Sequence, residues 1–224
     1  MIAELHCHTN YSDGYMTLRK AVETAEEIGL NALAITDHNT TRACKLFGNI
    51  KTNLLLIPGI EISCYHEKQK GHVLALGINE FKGSHELLET IDFVHSCGGI
   101  AINAHPFGGI KRPGFSDENI ARKFDAIEIV NGMTFDFQNK KAAELAKKLN
   151  MPAVCGSDAH MPGDIGNYPC RIRCNNDIDS VLNAIKKGRA EILVKNTSSK
   201  RILAKRGKRL IQKPFKKLLI KLSQ

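Results

Sequence analysis

Ile2-Ala3-Glu4-Leu5-His6-Cys7-His8 is a short apolar run that ends, without a break, in two histidines two residues apart. In an extended chain the side chains repeat every two residues. Both imidazoles therefore leave the same side of one strand and can grip one ion. The arrangement recurs along the chain. Ala32-Leu33-Ala34-Ile35-Thr36 runs into Asp37-His38, residues 54–60 into Glu61, residues 99–104 into His105, and residues 152–156 into Ser157-Asp158-Ala159-His160. Parallel strands of one sheet end on one face, where α/β folds place their chemistry. Five runs thus deliver metal-type ligands to one rim.

Apolar runs rich in β-branched residues lie near 2–7, 32–36, 54–62, 72–78, 99–104, 126–130 and 152–156, which predicts seven strands. Helix-period stretches separate them. Residues 17–29 carry Leu18, Ala21, Val22, Ala25 and Ile28 on one face, with Gly29 placed to close the helix. Residues 84–97 and 136–149 read the same way. Asp177 is placed to cap a further helix to Lys187, closed by Gly188. Alternating strands and helices give an α/β class built from βα units.

A lone histidine beside an apolar run is usually a satisfied core or surface residue. Six at strand ends would each need a separate buried partner, and unpaired polar groups near a core are costly. Asp158-x-His160 repeats the geometry of His6-x-His8, and Asp13 sits on the loop just past the first strand. Imidazole mixed with carboxylate suits zinc, manganese or iron better than calcium or magnesium alone. His66, His85 and His95 lie in a charged loop or on a helix pattern and are left outside the set.

The set His6-Cys7-His8, Ser12-Asp13-Gly14, Thr36-Asp37-His38, Gly59-Ile60-Glu61, His72, His105-Pro106 and Gly156-Ser157-Asp158-Ala159-His160 resembles the PHP (polymerase and histidinol phosphatase) domain. The resemblance covers roughly residues 1–190, with several motifs in the family's order. It implies a distorted seven-stranded (β/α)7 barrel with a trinuclear metal site at the C-terminal ends of the strands. Carried over by position, it implies that His6, His8, Glu61 and Asp158 hold one ion. Glu61 then bridges to a second with His72 and His105, and Asp13, His38 and His160 hold a third. Asp37 falls behind the ligands, orienting one of them or receiving a proton.

The net charge of +9 is unevenly spread. Residues 195–224 hold eleven Lys/Arg and no acid, leaving 21 basic against 23 acidic groups in residues 1–194. The chain therefore reads as a metal-dependent domain over 1–194 followed by a basic amphipathic tail over 195–224. That tail suits an anionic membrane surface, nucleic-acid phosphates, an acidic partner, or docking on the barrel itself. With no basic-then-apolar leader and no run of membrane-spanning length, the expected location is the cytoplasm. Seven cysteines, an odd number placed mostly in apolar runs, suit buried reduced thiols.

No Gly-x-Ser-x-Gly, Walker loop or Gly-x-Gly-x-x-Gly is present, so covalent serine and nucleotide-cofactor chemistry have no support. The expected reaction is in-line attack by a metal-bound hydroxide on a phosphate ester, a nucleotide, nucleoside bisphosphate or other small phosphomonoester. Lys111, Arg112 and Arg171 are candidate phosphate contacts. The alternatives are a 5′-3′ exonuclease-type phosphodiesterase on RNA or DNA, and a non-catalytic metal-binding module recruited to nucleic acid by the tail. Only 32 residues separate His72 from His105, with one helical pattern among them, too little for a helical insertion that would cover the site.

Overall fold

The computed structural model describes residues 1–109 and 112–193. All seven expected strands form: β1 (Ile2–Glu4), β2 (Ala32–Ile35), β3 (Leu55–His66), β4 (Gln69–Leu76), β5 (Ile100–Asn103), β6 (Ala126–Asn131) and β7 (Ala153–Gly156). Two three-residue strands, β8 (Cys170–Ile172) and β9 (Ala190–Ile192), join them in one sheet of order β7-β6-β5-β4-β3-β2-β1-β8-β9. The sheet is mixed, which corrects the expected seven-stranded βα repeat. β4 runs antiparallel to both β3 and β5. Its two-residue link to β3 is far too short for the crossover that a parallel neighbour requires.

The sheet curls into a nearly closed barrel. Beyond β1, Cys7 pairs in parallel with Ala159, beyond β7. His8 N–H donates to Ala159 O at 2.8 Å and Ala159 N–H to His6 O at 3.0 Å. At the other end of β1, Ile2 and Ala3 pair instead with Arg171 and Cys170 of antiparallel β8. The ring therefore closes directly at the end that carries His6 and His8, and β8 fills the seam below.

Among the described residues five α-helices accompany the sheet: α1 (Leu18–Glu27), α2 (Leu87–Ser96), α3 (Glu118–Ala121), α4 (Asp136–Leu149) and α5 (Ile178–Lys186). Thr17 caps α1 by accepting from Lys20 N–H, and Asp177 caps α5 by accepting from Ser180 N–H at 2.7 Å. α2 starts later than its periodicity suggests. The Glu86 carboxylate, not Ser84, takes the free N–H groups of Leu88 and Glu89. Among the described residues no helix is long and apolar enough to cross a membrane.

The main core joins Leu5, Ile57, Leu74, Leu76, Ile100, Ile102 and Val154 of the barrel to Val181, Leu182 and Ile185 of α5. Full burial of each such side chain contributes roughly 1.5–3 kcal/mol. Gly77 (φ +85°) takes the left-handed conformation that favours glycine, and a Cβ there, 2.5 Å from Leu182 Cδ1, would force that side chain to move. The barrel is thus packed from within and leaves its chemistry to the rim.

Candidate metal centre

The strand ends set out the candidate ligands. His6 and His8 continue β1 and are fully buried. His38 follows β2, Glu61 lies within β3, His105 follows β5, and Asp158 and His160 follow β7. Asp13 comes from the loop after β1, with a side chain 55% exposed. His72 arrives differently. It sits in the N-terminal half of β4, opposite Ser63 of β3, and the reversed direction of β4 brings that half to the same rim. The rule that strand C-termini supply the ligands fails for this residue for that reason. His105 (φ +32°) and Asp158 (φ +48°) both adopt the left-handed backbone conformation rarely taken by side-chain-bearing residues.

Five imidazole nitrogens converge on the Glu61 carboxylate. His72 Nδ1 and His105 Nε2 stand 2.8 and 2.9 Å from Oε1. His6 Nε2, His8 Nε2 and His38 Nδ1 each stand 3.2 Å from Oε2. These approaches are close, yet His6 Nε2, His8 Nε2 and His72 Nδ1 complete no hydrogen bond, and neither does His8 Nδ1. Buried polar atoms are rarely left so. Neutral imidazoles and carboxylates arranged in this way fit divalent cations, which would take up one ring nitrogen of each of these histidines.

The remaining contacts extend the group. His160 Nε2 lies 3.0 Å from Asp13 Oδ1, and His8 Nε2 lies 3.4 Å from Asp158 Oδ1. Three overlapping clusters result: His8, Asp13, His38 and His160; His6, His8 and Asp158; and His38, Glu61 and His72. They surround a cavity of about 140 Å³. Burial opposes charge on His8, but Asp158 and Glu61 outweigh it and lift its pKa to about 9. Burial would raise the Asp158 pKa, but Arg112, His8 and His6 hold it well below the usual carboxylate range. The centre holds positive charge against buried anions.

A PHP domain model matches residues 4–138, and a PHP-associated model matches residues 136–190. The chain belongs to the PHP family. The 5′-3′ exoribonuclease Rnm of Escherichia coli is 40% identical over 83 residues, 35% of this chain and 28% of that protein. The phosphoribosyl 1,2-cyclic phosphate 1,2-diphosphodiesterase of Eggerthella lenta is 36% identical over 85 residues, 36% of this chain and 32% of that protein. Both matches thus span only about a third of the relative's length. Among solved structures, a two-domain protein of Bacteroides vulgatus described as containing a predicted PHP-like metal-dependent phosphoesterase superposes with TM-score 0.69. That match has 20% identity and covers 86% of this chain and 64% of the other, which establishes the shared fold.

Behind the candidate ligands lie carboxylates that their position in the sequence did not reveal. Glu128, inside β6, accepts from His105 N–H at 3.0 Å and from Asn131 Nδ2 at 3.0 Å, and its other oxygen lies 2.8 Å from His6 Nδ1. Glu4, inside β1 and fully buried, accepts from the N–H groups of His6, Ser157 and Gly166. Burial pushes its pKa up against these bonds. A carboxylate in an otherwise apolar run was the available signal, since a buried acid requires partners. Asp37 faces elsewhere. Its Oδ1 accepts from Thr9 N–H at 2.7 Å and Ser12 Oγ at 2.6 Å, and Oδ2 accepts from Thr9 Oγ1 at 2.6 Å. It pins the loop that carries Asp13.

Of the three candidate phosphate contacts, Arg112 lines the cavity and donates from Nε to Asp158 Oδ2 at 2.7 Å. Arg171 pairs with Glu191 across the antiparallel strands β8 and β9, on the strand that fills the lower seam, so it takes no part at the rim. Lys111 and the basic segment 195–224 lie outside the described residues. His66 meets Glu86, His95 meets Asp125, and His85 Nδ1 lies 2.8 Å from Ser63 O. None of the three joins the centre.

Proposed function

We propose that the protein is a phosphoesterase that hydrolyses a small phosphorylated substrate with up to three divalent ions of the manganese, zinc or iron type. His6, His8, Glu61 and Asp158 would hold one, Glu61, His72 and His105 a second, and Asp13, His38 and His160 a third. When bound, such ions activate water and neutralise charge on the phosphate. The observation that carries this reading is the convergence of five imidazole nitrogens on the two oxygens of Glu61. A structural metal site closes around four ligands, whereas seven of these nine side chains, all but His6 and His8, line an open cavity.

Arg112 supplies the cavity with a fixed cation. Its Nε is committed to Asp158, and its other N–H groups are available to a phosphate oxygen. Glu61→Ala and Asp158→Ala, checked for folding, should each lose at least a hundredfold in manganese-supplemented hydrolysis of mononucleotides and 3′,5′-bisphosphates. Near wild-type rates in either variant would overturn the assignment.

The local 40% identity to an exoribonuclease favours a second reading, phosphodiester cleavage at the end of a nucleic acid. Residues 195–224, with eleven basic groups, would then bind the strand. Truncation at residue 194 separates the two. A nuclease should lose salt-sensitive oligonucleotide binding and turnover, whereas a small-molecule phosphatase should keep its rate on mononucleotides.

A further inference from the structure

The cavity among the ligands measures about 140 Å³ and is lined entirely by polar and charged side chains. Pockets that enclose a whole small molecule occupy about 300–1,000 Å³. A phosphate fits inside, and the rest of its ester must lie across the rim. What the rim offers on the side of Arg112 then bears on which ester it is.

β6 lies between β5 and β7 in the sheet. Arg112, on the loop leaving β5, reaches Asp158, on the loop leaving β7. Their ion pair therefore spans the end of β6, the strand whose following segment carries Phe135 and Phe137. Contacts tie the two together. Arg112 N–H donates to Gly109 O at 3.0 Å, and a Cβ on Gly109 would stand 3.5 Å from Gln138 Nε2. Gln138 Oε1 accepts from Phe135 N–H at 2.9 Å. The aromatic turn thus abuts the loop that holds the cavity's arginine.

The Phe135 and Phe137 rings are nearly parallel, 10° apart with centroids at 6.1 Å. Phe137 is 60% exposed, the most exposed of the large apolar side chains among the described residues. The backbone beneath is fixed, because Asn139 Oδ1 accepts from Asn131 N–H at 3.1 Å and from Thr134 Oγ1 at 2.5 Å. A flat, exposed and preorganised aromatic surface on the turn that abuts the arginine's loop suits a π-faced group carried by the same molecule as the phosphate. Bases stack on such rings with little regard to sequence.

We propose that Phe137, backed by Phe135, is the platform on which the base of a nucleotide stacks while its phosphate enters the cavity beside Arg112. This rests on the phosphoesterase reading and narrows its substrate class to nucleotides. The test compares wild type, Phe137→Ala and Phe137→Trp, all manganese-loaded, on a mononucleotide and on ribose 5-phosphate, which has no base. Phe137→Ala should raise KM for the nucleotide about tenfold. Its kcat, and both constants for ribose 5-phosphate, should stay within about twofold, and Phe137→Trp should restore the nucleotide KM. Equal effects on the two substrates, or none on the nucleotide, overturn the platform. Wild-type hydrolysis of ribose 5-phosphate with none of the nucleotide also overturns it and leaves the phosphoesterase reading standing. If neither is hydrolysed, that reading fails, and equilibrium dialysis of the mononucleotide still decides the platform. Weaker binding by Phe137→Ala supports it, and binding equal to wild type overturns it.

Discussion

His6 Nδ1 lies 2.8 Å from Glu128 Oε1, with both side chains essentially inaccessible to solvent. This contact fixes the ring and turns Nε2 towards Glu61. A carboxylate behind a ligating histidine sets its tautomer and strengthens it as a ligand, and its loss typically weakens metal affinity 10- to 100-fold. Glu128→Gln keeps the shape and removes the charge. It should shift the manganese dependence of hydrolysis to about 10- to 100-fold higher concentration, with the rate recovering at saturation. A manganese titration that superposes on wild type would show that Glu128 only fills space.

Asp37 acts at a greater distance from the ligands. Three hydrogen bonds join its buried carboxylate to Thr9 and Ser12, just before Asp13. Asp37→Ala strands those donors and should destabilise the fold by about 3 kcal/mol, from the penalty for buried unmade hydrogen bonds. In a chain of this size that lowers Tm by roughly 6–12 °C. Thermal melts give the stability, and the manganese requirement shows whether Asp13 has lost its place. A requirement unchanged alongside a lowered Tm would confine Asp37 to a structural role.

How much of this was legible varies with the physics of each residue. His6, His8, His38, Glu61, His105, Asp158 and His160 could be read directly, because each follows or ends an apolar run and parallel strands share a direction. His72 obeys no such rule, since β4 is reversed by a two-residue turn whose chain direction no periodicity reports. It was reached only through resemblance. Glu4 and Glu128 were absorbed into the strands that contain them, where alternation of apolar residues masks a buried acid. β8 and β9 span three residues each, too short for any pattern to register. Arg112 lies in an irregular loop, and its partner Asp158 is 46 residues away.

Gly156 tests how tightly the seam is packed. A Cβ there would stand 2.5 Å from His6 Cβ and 2.8 Å from Glu128 Oε1, closer than real atoms approach. Gly156→Ala should cost about 1–3 kcal/mol as an overpacking change and should also push His6 off its line to Glu61. Metal content after purification should therefore fall more than Tm alone suggests. Gly163→Ala, with nothing within 4 Å of the added methyl, is the matched control and should leave both unchanged.

Proton release ties the charge of the centre to metal binding. In the metal-free protein Asp158 and Glu61 outweigh burial and raise the His8 pKa to about 9, against about 6.5 for an unfolded histidine. A raised histidine pKa stabilises the fold below about pH 6.5, and that contribution is lost as pH climbs through about 9. A divalent ion requires the neutral imidazole, so at pH 7.5 binding must expel the proton from His8. Manganese affinity should therefore rise from pH 7 to pH 9. Calorimetric titrations in two buffers of different ionisation enthalpy should differ by the equivalent of at least one proton. The gap in Tm between loaded and metal-free protein should widen over the same interval, because the metal-free form is losing its His8 ion pair while the loaded form is not. Identical heats in the two buffers would mean that His8 is already neutral before the ion arrives.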